Sequence, residues 1–471
     1  MSREAVARFS KGQEEHVLRM YTALGSGWVP KLARALLTAG RSVGIEKPGK
    51  PEPRALGMGS NLLLPLIRHL AKSLVTAVGK KCKPEQFGGG LPCGADAIAF
   101  AVRVCLSEHP DWVIAHADLK NAFGAFCRAA ILRAARDAGS AALPFIAGEL
   151  RSPGYGVVVG SDGEIGLVLN REGVVQGAPN SPPLFCLGFD RALKATRAAH
   201  PNVIILAIAD DSFLLGTREN VAACLATLEM EVSKDNLTLQ PTKTAFYSPS
   251  EATRGALHAD VAAGRLAGRV QDEGIVVAGI PISRTRGFTE AFVEKRLLET
   301  GKLVLQVSHC KPSVAVAIYR TCIQPMWEHL YRSGCLMGME QGGRMQKLEQ
   351  IEGAFGDWVC SFNSRLYEAN GDLLRAEVIR HQRKAPLAQG GVELALIPDR
   401  LPRIARFAGM VLDVVPGLVG LANKHGLDFM GGIALLEEAT VAPVPTQSNS
   451  YGFHSDPALK VADWAVRWVW D

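Results

Sequence analysis

The stretch VIILAIADDSFLLG, Val203 to Gly216, sets two carboxylates side by side in an otherwise almost wholly apolar run. Short apolar runs on either side of a polar pair read as a hairpin, with strands Val203 to Ala209 and Ser212 to Leu215 and a turn at Asp210 and Asp211. Aspartate is a favoured turn residue, so the pair taken alone fits a solvated β-turn. A second strand changes the reading. In DWVIAHADLKNAFGAFCRAAILRAARDAG an apolar strand, Trp112 to Ala117, runs into Asp118, and a helix follows with Arg128, Arg133 and Arg136 on or near one exposed face. Asp118 taken alone fits a helix N-cap. If the two strands are neighbours in an antiparallel sheet, three carboxylates meet at one edge, where like charges about 4 Å apart repel by roughly 1 to 4 kcal/mol. Such a cluster calls for cations, and oxygen-only ligands select hard ones, Mg²⁺ first and Mn²⁺ second.

The chain has room for a large core divided among several lobes, with 471 residues of which 48% are hydrophobic. A formal net charge of +6 is compatible with a polyanionic partner without requiring one. Ten cysteines are present, none in a C-x-x-C pair or a Cys/His zinc pattern, and they read as buried reduced thiols. The N-terminus is charged throughout and no apolar run approaches the roughly 20 residues that span a bilayer, so an intracellular, soluble protein is expected, in nucleus or cytoplasm, with no membrane partner.

Along the chain, a helical N-terminal region gives way to a Pro/Gly/Lys-rich break, EKPGKPEPRALGMGS, Glu46 to Ser60. A helix is expected from Asn61 to about Val78, then a Gly-rich loop, QFGGGLPCGADAIAFAV, that runs into another helix. VVQGAPNSPPLFCLGFDRALKAT reads as a loop, Gln176 to Asn180, before a helix with Ser181 as N-cap and Pro182 in its first turn.

In order, HADLKNAF, GVVQGAPNSPPLF, AIADDSFLLG, NLTLQPTKT and GIVVAGIPIS resemble motifs A to E of the reverse transcriptase palm in its non-LTR retrotransposon branch, and QFGGGLPCGADAIAFAVR resembles the finger-side segment before motif A. The resemblance covers about Arg54 to Ser283. It implies an α/β (α+β) right-hand polymerase with fingers, an antiparallel-sheet palm and a helical thumb. The boundaries it suggests are an N-terminal helical extension over 1–45, fingers and palm over 46–290, a thumb over 291–362 and a C-terminal helical extension over 363–471.

Carried over residue by residue, the resemblance makes Asp118 and Asp210 the main metal ligands, assisted by Asp211 and the backbone carbonyl of Leu119. The implied cofactor is a pair of Mg²⁺ ions, with Mn²⁺ as a substitute. Phe123 falls where the family keeps an aromatic ring under the sugar of the incoming nucleotide, which favours deoxynucleotides; as an apolar residue it also suits a buried helix face. Gln176 and Gly177 match the turn against the nascent base pair, Lys243 the proton donor to the leaving pyrophosphate, and Arg54 the finger arginine over the triphosphate. Gly279, Ile280 and Pro281, within GIPIS, match the primer grip. The sequence departs from the family pattern at Ile208, Ala178 and Gly124, where an aromatic residue, Asp and Asn are usual.

The implied activity is RNA-directed DNA polymerisation by two-metal transfer to a primer 3′-hydroxyl, with an RNA template, a DNA primer and deoxynucleoside triphosphates as partners. A catalytically inactive, domesticated RNA-binding relic is the alternative, and an RNA-templated RNA polymerase shares the fold. Thr289 to Phe362 reads as helical, with Lys295, Arg296, Lys302, Lys311, Arg344 and Lys347 suited either to duplex phosphates or to a solvated face. Arg380 to Val411 resembles a post-thumb segment. No endonuclease, zinc knuckle or ribonuclease H pattern is legible, so the expectation is either a truncated element product or one whose target nicking depends on other activities. The oligomeric state is not encoded in any pattern found.

Overall fold

The computed structural model describes residues 13–30, 39–47, 50–159, 163–332 and 343–361. The expected C-terminal extension and the post-thumb segment lie outside the described residues. The chain divides into two compact units: residues 1–98 with 109–272, and residues 99–108 with those from 273 onward.

The first unit opens with α1 (Glu14–Gly25) and continues with the hairpin β1 (Gly40–Lys47) and β2 (Lys50–Met58). Helix α2 (Leu64–Lys81) follows, with Pro65 in its first turn where no backbone donor is needed. Helix α3 (Gly94–Glu108) is shared between the units. Next come β3 (Val113–Ala117), the short α4 (Ala122–Ala125), α5 (Arg128–Asp137), α6 (Leu143–Leu150), β4 (Gly154–Val159) and β5 (Ile165–Asn170). Helix α7 (Ser181–Ala199), β6 (Ile204–Ile208), β7 (Asp211–Gly216), α8 (Arg218–Ser233), β8 (Ala245–Tyr247), α9 (Glu251–Ala262) and β9 (Arg269–Val270) complete it.

Two sheets result. The five-stranded sheet has the order β6-β7-β3-β8-β9, antiparallel except for its last pair. Its strands are short, nearly continuous apolar runs because they are buried on both sides, and the main core packs α5, α7 and α8 against it. The other sheet, β2-β1-β4-β5, is antiparallel except where β1 meets β4. The architecture is mixed α/β with mainly antiparallel sheets, as expected.

Glu46–Ser60 is no linker. Most of it is β2, paired along β1 from Arg41↔Met58 to Lys47↔Lys50, so residues 40–45 are strand and not the end of a helical extension. The two prolines of β2, Pro51 and Pro53, lie on the edge strand, where a missing backbone donor costs no ladder bond. Arg128 does not share an exposed face with Arg133 and Arg136. Its guanidinium turns inward and donates to the carbonyls of Gly173 and Asn170 at 2.9 Å and Ser152 at 3.0 Å, which ties α5 to the strands and to the loop before α7.

The second unit holds the hairpin β10 (Ile275–Val277) and β11 (Ile280–Ile282), then α10 (Arg286–Val307), α11 (Pro312–Ile318), a π-turn at Tyr319–Ile323, α12 (Gln324–Arg332) and α13 (Arg344–Ser361). The helical expectation is met for the described residues of this region. Tyr319 stacks on Phe355 and donates to Glu352 at 2.8 Å, while the Trp327 indole donates to Thr300 at 2.9 Å. Its ion pairs include Arg286 with Glu290, Arg296 with Glu299 and Lys347 with Glu294. None of the described cysteines is in a disulfide; Cys82, Cys105, Cys186 and Cys224 are buried as expected, but Cys322 is exposed. No helix among the described residues is long and apolar enough to cross a membrane.

Candidate active site

Strand pairing fixes the carboxylates. Ala117 of β3 lies opposite Ser212 of β7, so Asp118, one residue beyond Ala117, emerges beside Asp211, one residue before Ser212. Between β6 and β7 the last pair is Ile208↔Asp211, which makes Ala209 and Asp210 the two turn residues. The turn therefore sits one residue earlier than the sequence suggests, and Asp211 is the first residue of β7. The cause is Ala209, whose φ of +54° supplies the left-handed conformation that a two-residue hairpin turn needs.

The three aspartates thus occupy three different backbone settings. Asp118 follows a strand, and its carbonyl accepts from Gln240 at 2.8 Å. Its carboxylate accepts from the Lys243 ammonium. Leu119, buried beside it, bridges to Leu239, so the segment carrying Lys243 is laced to the end of β3. Asp211 is 39% exposed and its carboxylate meets His116 Nε2 at 2.9 Å. His116 lies on the same face of β3 as Asp118, two residues earlier, and its ring stacks on Phe213 of β7. Asp210, in the turn, is held by burial and by the Asp211 and Asp118 carboxylates at a pKa of about 6, against 3.8 for a free side chain.

Desolvation and like-charge repulsion are both unfavourable to a bare carboxylate, so this cluster stores negative charge that a cation would neutralise. Three carboxylates at rigid strand ends form a hard, oxygen-only donor set, which fits a small divalent cation in chemistry. In this conformation the set is not gathered: Asp118 is turned to Lys243 and Asp211 to His116, and no three acidic, histidine or cysteine side chains among the described residues converge at metal-binding distance.

Beyond the carboxylates, Phe123 sits in α4 and stacks on Phe185 of α7 with centroids 4.7 Å apart, leaving the ring partly exposed. Gln176 and Gly177 form a turn against β2: the Gly57 amide donates to the Gln176 carbonyl at 2.8 Å. Gly177 has φ +110°, and a Cβ there would stand 2.6 Å from the Gly57 carbonyl oxygen, so both conformation and space require glycine. Arg54 lies in β2 opposite Ile45. Gly279, Ile280 and Pro281 belong to the second unit, where Ala278 and Gly279, both at positive φ, form the tight turn between β10 and β11. The first unit thus brings together Asp118, Asp210, Asp211 and Lys243, with Phe123 and the Gln176–Gly177 turn placed on neighbouring elements of the same unit.

His116 and Gln86 were not singled out from the sequence. A polar residue two positions before Asp118 in a strand must share its face, which is the signal that marks His116. Gln86 reaches the site only through the tertiary fold.

Residues 45–254 match the family model of reverse transcriptase (RNA-dependent DNA polymerase). Over these residues the chain is similar to a reverse transcriptase domain. Reverse transcriptases are RNA-directed DNA polymerases, a class of nucleotidyltransferase. All four residues of the carboxylate–lysine cluster lie within the matched span. No curated protein matches the chain significantly. Among solved structures, apo telomerase from Candida tropicalis is similar at 11% identity over 89% of this chain and 72% of that one, with a TM-score of 0.43. Telomerase from Candida albicans in complex with a fragment of telomeric RNA is similar at 10% identity over 73% and 63%, with a TM-score of 0.40. A C-terminally truncated Candida tropicalis telomerase gives 13% identity over 48% of this chain and 55% of that one, with a TM-score of 0.37.

Proposed function

We propose that the chain is an RNA-directed DNA polymerase of non-LTR retrotransposon type, extending a DNA primer on an RNA template with deoxynucleoside triphosphates. The observation that carries this reading is the meeting of Asp118, Asp210, Asp211 and Lys243 at one sheet edge inside the span similar to a reverse transcriptase domain.

In this reading Asp118, Asp210 and Asp211, with the Leu119 carbonyl, hold two Mg²⁺ ions. When bound, the metals supply Lewis acidity that stabilises the charge of in-line phosphoryl transfer. The protein's own part is to release Asp118 from Lys243 and Asp211 from His116, so that all three carboxylates turn inward. Lys243, freed from its ion pair, holds a proton at Nζ for the leaving pyrophosphate. Phe123 closes the space that a ribose 2′-hydroxyl would occupy, which sets the preference for deoxynucleotides. The Gln176–Gly177 turn faces the nascent base pair, Arg54 covers the triphosphate, and Gly279, Ile280 and Pro281 grip the primer end.

The test is primer extension on poly(rA)/oligo(dT) with Mg²⁺ or Mn²⁺, beside the Asp210→Asn/Asp211→Asn double variant. Incorporation lost in the variant supports the reading. A folded wild type that binds RNA without incorporating deoxynucleotides favours an inactive RNA-binding protein instead.

A further inference from the structure

The turn that carries Asp210 is held from outside the hairpin. Gln86 is completely buried, and its carboxamide spans both backbone groups of Ala209. Gln86 Oε1 accepts from the Ala209 amide at 2.8 Å, and Gln86 Nε2 donates to the Ala209 carbonyl at 3.1 Å. The same Oε1 accepts from the Gly88 amide at 2.8 Å, which fixes the carboxamide itself. The flanking backbone is laid along the outer edge of β6: the Phe87 amide donates to the Ala207 carbonyl at 2.7 Å, and the Ala207 amide donates to the Glu85 carbonyl at 2.6 Å. Gly88 completes the fit, since a Cβ there would lie 2.3 Å from the Ala209 nitrogen.

These contacts converge on the one residue of the hairpin whose conformation is unfavourable. Alanine at φ +54° is disfavoured by the approach of its Cβ to the backbone, and nothing within the hairpin ladder compensates for it. A two-point hydrogen bond to Ala209 does, and Asp210 is the next residue in the chain. We propose that Gln86 is a positioning residue for Asp210: its carboxamide locks Ala209 in the left-handed conformation and so sets where the Asp210 carboxylate can meet a divalent cation. The inference rests on the polymerase reading for its role in turnover, while the metal-binding part stands separately.

The experiment uses the full chain as wild type, Gln86→Met, Gln86→Glu and the Gln86→Met/Ala209→Gly double variant. Mn²⁺ uptake is read from the loss of the free-ion electron paramagnetic resonance signal, and primer extension is resolved into kcat and KM for the deoxynucleotide. Folding is checked by circular dichroism in EDTA. Gln86→Met removes both bonds to Ala209, so Mn²⁺ affinity and kcat are expected to fall by about tenfold to a hundredfold with KM little changed. Gln86→Glu keeps the acceptor for the Ala209 amide and loses the donor to its carbonyl, so an intermediate loss is expected; it also carries the test if the methionine variant fails to fold. Glycine at 209 holds positive φ without a Cβ penalty, so the double variant is expected to regain much of the loss, which a general weakening of the fold would not permit.

Folded Gln86 variants with wild-type Mn²⁺ affinity overturn the proposal, as does a loss that glycine at 209 fails to restore. A wild type that takes up no Mn²⁺ overturns it too. A wild type that binds Mn²⁺ but extends no primer defeats the polymerase reading alone, and Gln86 is then judged on the Mn²⁺ titrations.

Discussion

Replacing Asp210 by Asn is expected to make the metal-free protein more stable at neutral pH. Asp210 titrates at about 6 in the fold, chiefly because it is buried and then because Asp211 and Asp118 stand beside it. Its folded pKa exceeds the unfolded value of 3.8, so the group's favourable contribution is complete below that value and is lost as pH rises through about 6. At about 1.4 kcal/mol per pH unit, the cost at pH 7.5 is at most about 3 kcal/mol, of which about 1 kcal/mol has already accrued by pH 4.5. Solvent screening at a turn only partly buried reduces the remaining difference of about 2 kcal/mol to about 1 kcal/mol. Asparagine cannot ionise. Urea unfolding in EDTA should therefore show Asp210→Asn gaining about 1 kcal/mol on the wild type between pH 4.5 and pH 7.5. Comparing two pH values cancels any difference in hydrogen bonding between the two side chains. A gain that is the same at both pH values, or absent at both, would refute the account of Asp210 as a charge held at an energetic cost.

Lys243→Ala is expected to lower kcat by about a hundredfold, with a smaller loss for Lys243→Arg, measured by single-nucleotide incorporation. Phe123→Ala should relax sugar selection, read as a rise of about tenfold or more in ribonucleotide incorporation relative to deoxynucleotide in direct competition. Gly177→Ala meets both a φ of +110° and the Gly57 carbonyl, so a loss of about 1 to 3 kcal/mol is expected in denaturant unfolding.

The hairpin and β3 were legible because each is a short apolar run that ends at charged residues, the pattern of a buried strand. The register of the turn was not, since nothing in the sequence marks Ala209 as left-handed; its conformation is imposed by Gln86, 123 residues away. The β1–β2 hairpin was hidden by its own composition. Proline, lysine and glycine signal a linker, and an edge strand tolerates all three. Arg128 fits a solvated helix face by periodicity, yet its inward course depends on carbonyls of Ser152, Asn170 and Gly173 that only the tertiary fold brings near. Asp118, Asp210, Asp211 and Lys243 were found together through the order of their motifs, whereas the partners that hold them in this conformation, His116 above all, were not.

The most direct measurement is incorporation of a single deoxynucleotide on a defined RNA template as Mg²⁺ is titrated, comparing wild type with Asp118→Asn. If Asp118, on β3, and Asp210, on the turn, form one metal centre, the wild type adds only the complementary nucleotide in a Mg²⁺-dependent manner, and the variant loses it at every Mg²⁺ concentration. Undiminished incorporation by folded Asp118→Asn would contradict that account.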